Sequence, residues 1–206
     1  MDDASLPTTF PPPGVHDDAN ELAWLLRAEQ AGVPVTPMVV VPVAVEAAFY
    51  ALNNLAEQLQ RLFDGVVSDD PDEDDLEELA PEAIALVRSH ALLDEVIERL
   101  YESFAVLPAG VIVRRAGSAG NVTRRGRAAL LEVKRAWASE WEVEAIAARL
   151  RAGQGLAPVP SPVVVHDADI ARVRQTLDVG PGGASLEAWH DREGRLARLS
   201  LVTDAS

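Results

Sequence analysis

The residues best suited to binding chemistry surround a short polar loop, AGSAGNVT, at residues 116–123. Five arginines flank it: Arg114, Arg115, Arg124, Arg125 and Arg127. Backbone N–H groups of a glycine-rich loop, followed by a helix N-terminus, can hold an anion. Gly117, Ser118 and Gly120, with Arg114 and Arg115, are therefore candidates for a phosphate or nucleotide site. The loop is neither GxGxxG nor a Walker motif, so two alternatives stay open: a basic surface that pairs with acidic residues, within the chain or across subunits, and a solvated helix start.

His166 is the histidine best placed for chemistry, because Asp167 and Asp169 follow it. A histidine beside two carboxylates can bind a metal or act as a base. The competing interpretation is a strand end followed by a helix cap. No pair of histidines has a ligand spacing such as HExxH, and Ser118 and Ser139 lack a histidine and aspartate constellation. We therefore assign no catalytic residue and no metal site.

An acidic run occupies residues 69–78, where eight of ten side chains are Asp or Glu. The run lacks the glycine and the regular oxygen spacing of an EF-hand loop, so Ca²⁺ binding is not expected. A solvated or disordered insertion is the default interpretation. A docking surface for a basic partner is the alternative.

Length and composition limit the class of protein. The 206 residues suffice for one domain or two small ones, and the absence of cysteine excludes disulfides and thiolate metal sites. Residues 1–103 carry 22 acidic and 4 basic side chains, whereas residues 104–206 carry 11 acidic and 14 basic ones. The net charge of −15 argues against nucleic-acid binding. The first residues have no signal-peptide pattern and no stretch is long enough to span a bilayer, so we expect a cytoplasmic protein without membrane contact.

The hydrophobic periodicity predicts the elements that position these residues. We expect a disordered, Pro-rich tail over 1–16 and one domain over 17–206, divided into an acidic, mostly helical half (17–105, with an acidic loop at 65–80) and a basic α/β half (106–206). A first predicted helix begins at Asp17 or Asp18. Further helices are predicted over 43–64, over 81–104 (opened by Pro81) and over about 124–152, and a short one is predicted after Asp167. Predicted strands cover 38–41, 111–115 and 162–166, and a C-terminal β-hairpin turns at 192–194. The fold class is thus α+β (mixed α/β), a sheet flanked by helices.

Four segments occur in this order along the chain: LAWLLRAEQAGVPVTPMVVVPVAVEAAF, VIVRRAGSAGN, AALLEVKRAWASEWEVEAIAARLRAG and SPVVVHDAD. Together they resemble the N-terminal ATP-binding domain of phosphoenolpyruvate synthase and pyruvate phosphate dikinase, and the third segment, with its WAS tripeptide at 137–139, matches best. The resemblance covers about residues 20–60 and 108–170. It implies an ATP-grasp-like fragment in which Arg114 takes the place of a phosphate-contacting arginine.

The departures from that family are as informative as the resemblance. Asp17 and Asp18 stand near the place of the family's phosphate-binding lysine, and Lys134, the only lysine of the chain, lies far from it. Arg115 and Ala116 replace two serines, and His166 replaces a glutamine. The loop that covers the phosphates is shortened. Phosphoryl transfer depends on positioning and charge stabilisation around the phosphates, so these changes imply a degenerate, truncated relative without kinase activity.

Two functions follow as expectations. The first is a non-catalytic interaction or assembly module, which binds a protein partner or a second copy through complementary acidic and basic surfaces and needs no cofactor. The alternative is a residual ATP- or phosphate-binding subunit of a split phosphotransferase of the phosphoenolpyruvate synthase type. In that case ATP and Mg²⁺ are the cofactors, and Arg114, Arg115, Gly117, Ser118, Gly120 and His166 contact the nucleotide. A weaker third possibility is an enzyme centred on His166.

Overall fold

The computed structural model describes residues 8–9, 21–66, 73–173 and 186–201, which form helices and two antiparallel sheets. The helices in this part of the chain are α1 Glu21–Gln30, α2 Val43–Leu52, α3 Leu55–Leu62, α4 Glu73–Ser89, α5 Asp94–Ala105, α6 Arg127–Ala138 and α7 Val143–Arg151. The strands are β1 Thr8–Thr9, β2 Met38–Val41, β3 Gly110–Arg115, β4 Asn121–Arg124, β5 Val163–Asp167, β6 Ile170–Val173, β7 Leu186–Asp191 and β8 Leu196–Leu201. The predicted α+β class is confirmed.

The first sheet has the strand order β1, β2, β5, β3, β4, and each neighbouring pair is antiparallel. β2 and β5 read as continuous valine runs because both faces of the sheet are covered. One face packs into the main helical core through alternate residues: Val39, Val41, Val111, Val113, Val163 and Val165. The opposite face places Val40 and Val164 against α1. The central strands of the sheet are therefore covered on both faces, and β3 is one of them.

The second sheet has the order β6, β7, β8 and shares a smaller core with α1. Leu25 of α1 and Leu196 and Leu199 of β8 are completely buried in that core. The segment before β2 ties the sheets together, because the Thr36 N–H donates to the Leu196 carbonyl at 2.8 Å and the Leu196 N–H donates to the Pro34 carbonyl at 2.7 Å.

Several predicted elements are confirmed within the described residues. The strand at 38–41 has the predicted limits, β3 and β5 differ from theirs by one residue, and the C-terminal hairpin is β7 and β8. Of the tail predicted to be disordered, only Thr8 and Thr9 are described, and they form β1 against β2. The predicted cap at Asp17 or Asp18 lies outside the described residues.

The prediction of one helix over 43–64 is wrong, because α2 and α3 are separated at Asn53 and Asn54. Asn54 has φ of 50°, a left-handed conformation that asparagine tolerates better than most residues. The Asn53 side chain donates to the Phe49 carbonyl at 2.8 Å and so satisfies the end of α2. A side-chain bond to the backbone thus ends a helix whose apolar stripe continues.

The prediction that Pro81 opens a helix over 81–104 is also wrong. Pro81 lies inside α4, which begins at Glu73 and shortens the predicted acidic loop at 65–80. The helical pattern is instead interrupted after Ser89, where the Lys134 ammonium of α6 donates to the Arg88 carbonyl at 2.7 Å and to the His90 carbonyl. These contacts satisfy carbonyls at the C-terminus of α4 from a distant helix.

The single helix predicted over 124–152 is two helices joined by a 3₁₀ turn at Ser139–Trp141. The Ser139 hydroxyl donates to the Ala136 carbonyl at 3.0 Å, and Glu142 adopts an extended backbone that caps α7. The predicted polar loop 116–123 is shorter as well, since β4 begins at Asn121 and pairs with β3.

The described part of the short helix predicted after Asp167 contains a strand, β6, and its residues beyond 173 lie outside the described ranges. The Asp167 carboxylate accepts the Asp169 N–H at 2.9 Å, so it makes a turn rather than a helix cap. β6 then pairs with β7, and this pairing outweighs the local helical pattern.

Candidate functional site

The candidate site lies at the C-terminal end of β3, which is held between β5 and β4. Arg114 and Arg115 are consecutive in this strand, so their side chains point to opposite faces of the sheet. Both side chains are buried, with 1% and 7% relative exposure. Buried guanidinium groups need partners, and each arginine obtains them on its own face.

Arg114 forms a two-pronged ion pair with Glu21 of α1. Its Nη1 and Nη2 lie 2.5 and 2.7 Å from the two carboxylate oxygens. The same carboxylate accepts the Gly117 N–H at 2.8 Å and the Leu199 N–H at 3.1 Å. Glu21 is thus an internal anion that joins α1, the end of β3, the following loop and β8.

His166 lies behind Arg114 and is fully buried. The Arg114 Nε–H donates to the His166 Nε2 at 3.1 Å, and the His166 Nδ1–H donates to the Asp167 carbonyl at 2.8 Å. These partners fix the neutral tautomer with the proton on Nδ1. Burial, reinforced by the Arg114 charge, lowers the pKa of His166 to about 3. Both ring nitrogens are occupied, so this histidine positions Arg114 and has no free lone pair for a metal or a proton.

Arg115 is bound on the opposite face. Its Nη2 and Nη1 lie 2.7 and 3.1 Å from the Glu46 carboxylate of α2, and its Nε lies 2.9 Å from the Glu140 carboxylate. The Ser161 carbonyl accepts a further bond at 2.9 Å. Burial raises the pKa of Glu46, and the hydrogen bond from Arg115 and its charge oppose that rise. Arg115 therefore joins α2, the 3₁₀ turn and the segment before β5.

The loop after β3 directs its N–H groups inward. Ala116 donates to the Pro162 carbonyl and Ser118 to the Arg115 carbonyl, both at 3.0 Å, while Gly117 donates to Glu21. Gly120 has φ of +75°, and a Cβ there would lie 2.3 Å from the Arg114 Cβ. The Arg114 guanidinium, the Gly117 N–H and the Leu199 N–H together form an anion cradle, and the anion that it holds is the Glu21 carboxylate.

A polar cleft of about 580 Å³ opens beside this loop. Its walls include Arg135 together with Glu132, Glu140 and Glu142. Because Arg114 and Arg115 are already paired with carboxylates, the remaining charge of the walls is not positive. The cleft therefore offers a dianion such as phosphate little electrostatic attraction.

The other residues singled out in the sequence lie apart from this cleft. Arg125 donates to the Ala105 and Leu107 carbonyls at 2.8 and 2.6 Å and so covers the end of α5. Arg124 and Arg127 are exposed. Asp169 pairs with Arg192 rather than with His166. No group of three metal-ligating side chains occurs among the residues of the described ranges.

Sequence reasoning missed the three carboxylates that organise the site: Glu21, Glu46 and Glu140. Glu46 carried a signal, because it is the one charged residue in the apolar stretch VPVAVEAAFY. A lone charge on a buried helix face indicates an internal partner. Glu21 precedes the apolar run LAWLL and gave no comparable signal.

Comparison of the sequence with protein-family models and with curated proteins finds no match. None of the helices in the described part of the chain is both long enough and apolar enough to cross a membrane.

Proposed function

We propose that this chain is a non-catalytic interaction module that self-associates or docks to a protein partner through charged surfaces. The observation that carries the proposal is the Glu21 carboxylate in the anion cradle, where it accepts both Arg114 Nη groups and two backbone N–H groups. An external phosphate would have to displace this carboxylate. Breaking a buried ion pair costs about 3–5 kcal/mol, which a solvated phosphate does not recover easily.

Exposed surfaces of opposite charge support the interaction role. The first turns of α4 present Asp75, Glu77 and Glu78 to solvent, and the edge strand β4 and the start of α6 present Arg124 and Arg127. Complementary patches of this kind fix the register of an interface and speed up association. The relationship of this chain to the phosphoenolpyruvate synthase ATP-binding domain remains a hypothesis, and it rests on the resemblance of the sequence segments alone.

Salt-dependent association tests the module. Light scattering after size-exclusion chromatography should show a larger mass at 50 mM than at 500 mM NaCl, and a pull-down should capture more partner at the lower salt. The reason is that the Debye length falls below about 5 Å at the higher salt. Arg124→Glu should abolish this association, whereas Arg99→Glu, an equal charge change at an exposed site of α5, should not. A monomer at both salt concentrations that captures no partner contradicts the proposal.

The alternative function is a residual ATP- or phosphate-binding subunit of a split phosphotransferase, which the sequence resemblance implies, and the polar cleft beside Arg115 is where such a ligand would have to bind. Calorimetric titration of the wild-type chain with ATP and Mg²⁺, with inorganic phosphate and phosphoenolpyruvate in parallel, separates the two functions. We expect no saturable heat. Micromolar binding that Arg135→Ala weakens would overturn the module proposal and place the nucleotide in the cleft.

A further inference from the structure

We propose that a second cavity, on the far side of the Arg115 ion pairs, binds a small uncharged apolar molecule that carries a hydrogen-bond acceptor. The cavity lies between α2, α3 and the proline-containing segment 156–160, and its volume is about 760 Å³. Ligand sites for small molecules span roughly 300–1,000 Å³ and have mainly apolar walls with a few polar groups. This inference is independent of the proposed function.

The aromatic wall of the cavity is fixed by its own contacts. Phe63 stacks on Trp141 with ring centroids 5.9 Å apart and an interplanar angle of 25°. The Trp141 Nε1–H donates to the Tyr50 hydroxyl oxygen at 2.9 Å, and Tyr50 packs edge-on against the buried Phe49. Leu156 and prolines of the 156–160 segment form the opposite wall. An apolar surface that is already ordered costs little entropy when a molecule binds.

The Tyr50 hydroxyl indicates the polar group of the ligand. Its oxygen accepts from Trp141, and the described residues offer its hydrogen no acceptor. Burial raises the pKa of Tyr50 to about 12, so the hydroxyl keeps its proton at neutral pH and stays a donor. A carbonyl, ether or ring nitrogen on the bound molecule would complete this bond.

The charges around the cavity favour an uncharged molecule. Glu46 lines the cavity, but Arg115 binds both of its oxygens, and Arg149 lies 3.4 Å from the Glu140 carboxylate that shares Arg115. These two arginines and two glutamates balance each other. Asp64, which is exposed at the cavity, remains as an additional negative charge. An anion is therefore repelled, and a cation finds only a solvated carboxylate.

The experiment uses Nile red, a neutral apolar dye with a carbonyl acceptor, and anilinonaphthalene sulfonate as an anionic control of similar size. Each dye is titrated into the full chain and followed by its fluorescence. A proton–nitrogen NMR spectrum of the indole groups is recorded in parallel, with the Trp141 signal assigned from its loss in Trp141→Phe. Ala47→Phe fills the cavity, and Ala48→Phe adds the same group at the next, exposed position of α2, which does not line the cavity. Tyr50→Phe removes only the hydroxyl.

We expect one Nile red molecule per chain with a dissociation constant on the order of micromolar, and a shift of the Trp141 indole signal. Ala47→Phe should weaken binding roughly tenfold or more, and Tyr50→Phe roughly two- to tenfold, as for one lost hydrogen bond. Ala48→Phe should bind like the wild type. Circular dichroism and melting curves show that each variant is folded.

The inference would be overturned by no saturable binding to the folded wild-type chain, by equal effects of Ala47→Phe and Ala48→Phe, or by tighter binding of the anionic dye. If Ala47→Phe dissociates an oligomer and Nile red leaves the Trp141 signal unchanged, the cavity is covered by a second copy, and the small-molecule site is wrong.

Discussion

The Glu21 carboxylate occupies the position at which the sequence predicts a bound phosphate or nucleotide. This carboxylate bonds to Arg114 and the nearby Gly117 and also to Leu199 of β8, so it joins two parts of the chain that are far apart in sequence. A charged group with so many fixed donors is stabilised by geometry rather than by solvent. We therefore expect the Glu21–Arg114 ion pair to stabilise the fold when it is intact and either charge to destabilise the fold when its partner is removed.

Glu21→Gln should lower the free energy of unfolding by about 3–5 kcal/mol, because it leaves the Arg114 charge buried without its counterion. Urea denaturation measures the change. Glu57→Gln is the matched control, since it breaks the exposed Glu57–Arg61 pair on α3 and should leave stability nearly unchanged. Equal, small effects of both substitutions would show that the Glu21–Arg114 pair is not a determinant of stability.

His166 makes stability depend on pH. Its pKa is about 3 in the folded chain and near 6.5 when unfolded, so the unfolded state binds the extra proton between these values. The stability from keeping His166 neutral is complete above pH 6.5. It declines by about 1.4 kcal/mol per pH unit as the pH falls towards 3.

His166→Gln should flatten this dependence, because an amide can accept from Arg114 and donate to the Asp167 carbonyl without titrating. Urea denaturation at pH 7.5, 6.5, 5.5 and 4.5 compares the two chains, and the carboxylates they share contribute equally to both curves. Parallel curves for the wild type and the variant would contradict the assignment.

At the scale of elements, the β3–β4 hairpin holds Arg114 and Arg115 in place. Gly120 allows the loop of this hairpin to lie close to the backbone of β3 at Val113 and Arg114. Gly120→Ala should destabilise the chain by roughly 3 kcal/mol or more, because its Cβ would lie 2.3 Å from the Arg114 Cβ and 2.5 Å from the Val113 carbonyl oxygen.

Gly117→Ala is the matched substitution in the same loop. Gly117 also has positive φ, but a Cβ there meets nothing within 4 Å. Only the backbone strain of about 1–2 kcal/mol is expected. Melting temperatures of the two variants test the difference, and similar values would show that the close contact at Gly120 is relieved by movement of the loop.

The strands β2, β3 and β5 and the C-terminal hairpin were predictable from the sequence, whereas β4, β6 and the ends of the helices were not. Val39, Val40 and Val41 form a β-branched run between prolines, and that local pattern suffices for a buried strand. The end of α4 depends on Lys134, which lies 44 and 46 residues beyond the carbonyls it binds. No window of local sequence contains that contact.

The sequence predicted the position of the candidate site, but it did not predict that the arginines of the site are already paired with carboxylates. The loop and both arginines are recognisable in sequence, and the structure brings them together at the end of β3. Their counterions Glu21 and Glu46 are 93 and 69 residues away. Whether a buried arginine is free for a ligand depends on such distant partners, so residue type and spacing alone do not decide it.

At the scale of the whole molecule, charge is arranged to bind the two halves of the chain together. Glu21 and Glu46 belong to the acidic first half, and Arg114 and Arg115 to the basic second half. These buried pairs are poorly screened by salt, whereas the repulsion produced by a net charge of −15 at the surface is screened well.

The melting temperature should therefore rise when NaCl is increased from 20 to 300 mM, measured at a protein concentration where the chain is monomeric. A neutral osmolyte at matched osmolality separates charge screening from general exclusion effects. A melting temperature that falls with salt would mean that surface attractions outweigh the repulsion.

The contact between Lys134 and the end of α4 gives the protein a built-in chemical reporter. Lys134 carries the only side-chain amine in these 206 residues, and its nitrogen is held by backbone carbonyls of another helix. Amine-selective acylating reagents can thus modify, apart from the terminal amine, only this side chain among these 206 residues. Slow acylation of Lys134 in the native state, and rapid acylation in urea, would follow the separation of α4 from α6 by mass spectrometry without any engineered label.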